Sequence, residues 1–183
     1  NYTGGERGFA AVPGSRFRQD FKRSVRYAKT LGAQNLHIMA GVAEGPDAKA
    51  TFIENLRWAA AEAPDQSLTI EPINQDDMPG YFLSDFDLAA EVITTVDAPN
   101  LRLQFDAYHA QKITGDVMGT WARMRDITVH VQVAQTPDRT APDQSNIDYA
   151  AFFAALDVDG YDGWISGEYT PAARTNQSVG WIK

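Results

Sequence analysis

The chain has 183 residues, 44% hydrophobic and 22% charged, an ordinary globular composition at a length that fits one domain. Its formal net charge of −8 argues against nucleic acid as a partner, because a phosphate backbone attracts basic patches. No apolar run approaches the roughly 18 residues of a membrane span, the Gly-rich, polar start does not read as a signal peptide, and a chain without Cys has no disulfide, thiol nucleophile or Cys-based zinc site. The expectation is a cytoplasmic protein with neither a membrane nor a nucleic-acid partner. An anionic substrate would need local cations or a metal to overcome the overall field.

Residues 1–14, NYTGGERGFAAVPG, read as a loop with no hydrophobic period. Ser15 is then placed to cap a helix in which Phe17, Phe21, Val25 and Ala28 keep four- and three-residue spacing, with Gly32 closing it. LHIMAG at Leu36–Gly41 is a short apolar strand. Asp47 is expected to open a second helix, with Phe52, Ile53, Leu56 and Ala60 as its buried stripe. Leu68–Ile73, LTIEPI, is the next strand, and Pro72 removes a ladder donor directly after Glu71, so pairing should stop there. After the turn QDDMPGYF, Ser84 and Asp87 resemble a capping box ahead of Leu88, Val92 and Val96.

In LRLQFDAYHAQK, Leu101–Lys112, Leu101, Leu103 and Phe105 alternate with Arg102 and Gln104. Asp106 arrives where that strand should end, with His109 three residues on. A helix is expected near Asp116–Arg125. The fourth strand, Ile127–Val133, puts His130 and Gln132 on the opposite face from Val129 and Val131. A polar loop, Ala134–Ser145, carries two Pro and Arg139. Helix Ile147–Leu156 should bury Tyr149, Phe152, Phe153 and Leu156. WISGEY at Trp164–Tyr169 is the fifth strand and carries Glu168. The tail, Pro171–Lys183, has only the short apolar end Val179–Ile182.

Strands thus begin near 36, 68, 101, 127 and 164, each followed by a helical pattern, and intervals of about 30 residues are what a βα unit needs. The alternation implies α/β architecture with parallel strands and right-handed crossovers, whose ligands gather at the carboxyl ends of the strands. Four consecutive strands end in an oxygen-bearing side chain: Glu71, Asp106, Gln132 and Glu168. Three converging carboxylates would raise one another's pKa values, and a divalent metal resolves that conflict. Oxygen donors without thiolate favour Mg²⁺ or Mn²⁺. The competing reading is structural: Asp106 caps the next helix and His109 packs on a neighbour. His109 is otherwise placed to hold a substrate oxygen. His130, on the face of Gln132, lines the pocket or supports the ligands. Arg139 can clamp a substrate carboxylate in bidentate fashion, with Lys112 and Arg7 as weaker candidates. His37 is given no role.

The pieces GERGFAAVPG, LHIMAG, IEPIN with DMPGYFL, QFDAYHAQK, HVQVAQTPDR and GWISGEY occur in order along nearly the whole chain. Together they resemble the hydroxypyruvate isomerase family, within the wider xylose-isomerase-like barrel group. The resemblance implies a (β/α)₈ TIM-barrel type of fold and a divalent metal held by Glu71, Asp106, Gln132 and Glu168, with Glu71 and Glu168 as the proton-transferring pair. Gln132, where many relatives in the wider group have His, implies the hydroxypyruvate-type branch over the sugar epimerases. The implied reaction is aldose–ketose isomerisation of a small anionic hydroxy or oxo acid, hydroxypyruvate to tartronate semialdehyde or a 2-oxo-tetronate. A full barrel of this type runs to about 250 residues. The expectation here is a single partial barrel of about five βα units over residues 15–183, beginning after the third strand of the family. Its open edges would be covered by a complementing N-terminal segment or a homo-oligomer.

Overall fold

The computed structural model describes residues 7–143 and 145–182. Residues 1–6 of the expected N-terminal loop, Gln144 and Lys183 lie outside that set. The chain forms two compact units, one ending at Gln104 and the other beginning at Phe105.

The first unit contains α1 (Arg16–Leu31), β1 (Asn35–His37), α2 (Gly45–Glu62), β2 (Ser67–Ile70), α3 (Phe86–Val96) and most of β3 (Leu101–Asp106). Its strands pair in chain order and in parallel, with Leu36 opposite Leu68 and Leu68 opposite Leu101. The second unit holds the end of β3, then α4 (Ala107–Thr114), α5 (Val117–Met124), β4 (Thr128–Val133), α6 (Tyr149–Val158) and β5 (Trp164–Gly167). β4 and β5 are also parallel, with Gln132 opposite Ser166. All five expected strands are present, and helices alternate with them as α/β architecture requires. No helix among the described residues is long and apolar enough to cross a membrane.

The helices follow their apolar stripes. α1 buries Phe17, Phe21, Val25 and Ala28, and Gly32 ends it in the left-handed conformation at φ 65°. Phe17 and Phe21 pack on Trp58 of α2 with ring centroids 6.2 and 5.6 Å away. In the second unit Phe105, Trp121 and Phe152 form a three-ring cluster. β3 is buried on both faces except at Arg102, the usual state of a parallel strand covered by helices.

Several local expectations are corrected. Ser15 sits at the N-cap of α1, but its side chain makes no capping bond. α2 starts at Gly45, with Pro46 in its first turn, so Asp47 lies inside the helix rather than before it. Ile53 is only half-buried, and Ala59 takes a place in the stripe. α3 is capped by Asp85, whose carboxylate accepts from Leu88 N–H at 2.7 Å, not by Ser84. Phe153 on α6 is half-buried. The described part of the N-terminal loop is pinned down: Ala11 N–H donates to Ala40 O at 2.7 Å, and Asn55 donates to Ala10 O at 2.9 Å. Gly8 and Gly41 meet there, and a Cβ on Gly41 would lie 2.4 Å from Gly8 O.

Candidate active site

The first unit brings Glu71, Gln104 and His37 together. Pro72 ends ladder pairing as expected, so β2 stops at Ile70 and Glu71 lies one residue beyond it. Glu71 is only 3% exposed. Gln104, on β3, donates to its Oε2 at 2.9 Å. His37 Nε2, from β1, lies 3.5 Å from the same oxygen. Thr69 donates to Gln104 Oε1 at 3.3 Å, which fixes the amide orientation. Sequence reasoning missed Gln104 and His37. The signal for Gln104 was present: it shares its strand face with Asp106, because period-two alternation puts Leu103 and Phe105 on the other side.

The second unit brings Asp106, His109, Arg139 and Glu168 together. Asp106 is 1% exposed and caps α4, its Oδ1 accepting from Tyr108 N–H at 2.8 Å. The structural expectation for Asp106 therefore holds for one carboxylate oxygen. The other, Oδ2, accepts from Arg139 Nη2 at 3.2 Å and lies 3.8 Å from His109 Nε2. His109 is buried, with Tyr108 edge-on at 5.3 Å. Arg139 Nη2 also donates to Glu168 Oε2 at 2.9 Å. One guanidinium thus bridges a buried carboxylate and a half-exposed one.

The loop after β4 is built to hold that arginine. Gln135 accepts from Ile147 N–H at 2.9 Å and donates to Asp143 at 3.0 Å. Tyr149 donates to Ala134 O at 2.6 Å. Arg139 itself is left-handed at φ 52°, which costs a non-glycine residue roughly 1 kcal/mol. Bonds from Arg139 Nε to Glu168 O, 3.2 Å, and from Thr170 N–H to Arg139 O, 2.9 Å, offset that strain.

The remaining expected residues are placed as follows. Gln132 and His130 share one face of β4 and are half-buried. His130 Nδ1 is buried with no hydrogen-bond partner among the described residues, and burial lowers the pKa of this imidazole. Glu168 lies one residue past β5, its N–H bonded to Val133 O at 3.1 Å. Lys112 is half-buried on α4, and Arg7 is exposed.

Burial pushes Asp106 up to about 7, reinforced by the charge of Glu168, while Arg139 and the N–H groups of Tyr108 and His109 pull the other way. A carboxyl whose pKa is raised on folding contributes stability that is complete below the unfolded value. That contribution disappears as pH rises through about 7. With chelator present, Asp106→Asn should therefore lose less stability between pH 5 and pH 8 than the parent, as measured by urea unfolding at both pH values. An equal loss in the two proteins would contradict the assignment.

The sequence matches the xylose isomerase-like TIM barrel family over residues 4–183, and the chain belongs to that family. It is similar to the 2-oxo-tetronate isomerase of Cupriavidus necator, at 42% identity over 193 aligned positions covering 100% of this chain and 74% of the relative. It is also similar to the hydroxypyruvate isomerase of Escherichia coli, at 34% identity over 100% of this chain and 74% of that one. Among solved structures it resembles one titled AP endonuclease, family 2, from Brucella melitensis, with 38% identity, a TM-score of 0.93, and 97% of this chain and 72% of that one covered. The curated relatives make the chain an isomerase of this family.

Proposed function

We propose that the chain is a metal-assisted aldose–ketose isomerase of a short 2-oxo acid, most simply hydroxypyruvate to tartronate semialdehyde. The observation that carries this reading lies on β3. Gln104, which donates to Glu71, and Asp106, which pairs with Arg139 and through it with Glu168, stand two residues apart on one strand face. Two residues of strand span about 6.6 Å. β3 thus carries a partner of Glu71 and, two residues on, Asp106 itself, and a common ion for Glu71 and Asp106 is part of the proposal.

The donors fit a hard divalent cation. Glu71 and Asp106, both buried, would hold it together with Gln132 and Glu168, which add oxygens from the ends of β4 and β5. Asp106 is a carboxyl that burial disfavours as an anion, so a nearby cation stabilises its charged form. Oxygen donors without thiolate suit Mg²⁺ or Mn²⁺. Such an ion would polarise the substrate carbonyl and offset the charge of an enediolate.

The chain's own residues do the rest. One of Glu71 and Glu168 removes the proton from the hydroxyl-bearing carbon, and the other returns a proton at the former carbonyl carbon. A proton also passes between the two oxygens, so the reaction is redox-neutral overall. His109 holds a substrate oxygen, Arg139 takes the carboxylate, and His130 faces the substrate from β4. The overall charge of −8 favours this reading over a nuclease, which needs a basic groove.

A second reading, isomerisation of a 2-oxo-tetronate, is favoured by the Cupriavidus necator relative. The two substrates differ by one hydroxymethylene unit, and the same strand-end groups serve both. Turnover on hydroxypyruvate and on a 2-oxo-tetronate, each with Mg²⁺, Mn²⁺ or chelator, separates them. Metal-dependent turnover of hydroxypyruvate supports the first reading, and turnover of only the longer acid replaces it with the second. Turnover of neither defeats both.

A further inference from the structure

We infer that Arg139 and a divalent ion are alternative counter-charges for the same two carboxylates. Ion binding would displace the guanidinium from Asp106 and Glu168 and free it for the carboxylate of an anionic substrate. This rests on the metal reading above and adds how the site is charged and the order in which it fills.

A single nitrogen makes both contacts: Arg139 Nη2 reaches Asp106 Oδ2 at 3.2 Å and Glu168 Oε2 at 2.9 Å. The other oxygen of Asp106 is committed to Tyr108 N–H at 2.8 Å. Oδ2 is therefore the less committed oxygen for an ion ligated by Asp106, and it is the one that Arg139 holds. A dication and a guanidinium on one buried carboxylate oxygen repel each other strongly, because little water screens them. The arginine has somewhere to stay when displaced. Its Nε donates to Glu168 O at 3.2 Å, and the guanidinium carbon lies 5.0 Å from the centroid of the Tyr108 ring. Its backbone is fixed by the Thr170 N–H bond. The side chain is thus tethered beside the carboxylates, with its Nη2 end able to turn to a new anion.

The consequence is an ordered site. Without an ion, the arginine is engaged by the protein's own carboxylates and is a poor receptor for substrate. With an ion bound, those carboxylates are neutralised and the guanidinium is available. The two binding events are then linked, and by reciprocity an anionic substrate strengthens ion binding.

The test is titration of the parent chain, Arg139→Lys and Arg139→Gln with Mn²⁺ alone. Free Mn²⁺ is followed by electron paramagnetic resonance, and folding is checked by far-ultraviolet circular dichroism. Removing the competing charge should tighten Mn²⁺ binding by about fivefold or more, the low end of an ordinary coupling between sites. Lys, a shorter point charge without the Nε donor, should fall between Gln and the parent. Arg139→Lys also keeps the inference testable if Arg139→Gln fails to fold. A folded variant that binds Mn²⁺ no tighter than the parent overturns the exchange. If none of the three proteins binds Mn²⁺, the metal reading itself falls.

Discussion

Replacing Glu71 by Gln in the full chain should lower isomerase turnover about 10²–10⁴-fold, the usual contribution of a positioned acid or base. The substitution is nearly isosteric. Gln104 now donates to Glu71 Oε2 at 2.9 Å, and a glutamine carbonyl can accept the same bond. The fold should therefore survive while the proton-transferring group is lost. Glu168→Gln should give a comparable loss for a complementary reason. Its side chain is 51% exposed, so removing its ion pair with Arg139 costs little stability. Steady-state rates measured beside urea unfolding curves separate the two effects. Turnover near the parental rate in either variant would end the assignment of these glutamates as the proton-transferring pair.

The largest stability effect is expected at Phe105. Its ring is fully buried and meets Trp121 at 5.5 Å and Phe152 at 5.9 Å, and those two rings meet each other at 5.9 Å. Phe105→Ala removes one member of a closed trio and leaves a cavity that two large rings cannot collapse to fill. The expected cost is about 3–5 kcal/mol, a large share of the roughly 5–15 kcal/mol that holds an ordinary domain together. Phe105→Leu should cost distinctly less, because it refills much of that volume. Urea unfolding of the three proteins measures this, and a cost below about 1 kcal/mol for the alanine variant would mean the cluster is not packed as described. Phe105 faces away from Gln104 and Asp106 on β3, so these variants probe the scaffold without touching the carboxylates.

The strands and their ends were legible because they depend on short-range pattern. Leu101, Leu103 and Phe105 alternate with polar residues, and Asp106 closes the strand that this alternation defines. Pro72 stopped the pairing of β2 for a reason written in one residue. Helix starts were read less well. Asp47, Ser84 and Asp85 are all plausible caps by type, and only the backbone conformation decides that Asp85 does the capping. The second layer of the site was not legible. The contact of His37 with Glu71 crosses 34 positions, and it follows from the registers of β1 and β2 rather than from any motif. Arg139 could be read as a cation in a loop. Its left-handed backbone and its bridge between two carboxylates depend on Gln135, Tyr149 and Thr170, which no local spacing connects.

Asp106 shows why a structural and a chemical reading need not compete. One carboxylate oxygen stabilises the start of α4, and that bond fixes the direction of the other. A helix cap that is rigid and buried is a good place from which to aim a ligand.

The most direct measurement is a crystal structure of the chain soaked with Mn²⁺, with the ion located by its anomalous scattering. The expected result is one strong peak within bonding distance of carboxylate oxygens of both Glu71 and Asp106, with Arg139 moved off Asp106. A peak elsewhere, or Glu71 and Asp106 too far apart to share it, would contradict the shared site on which the proposed chemistry depends.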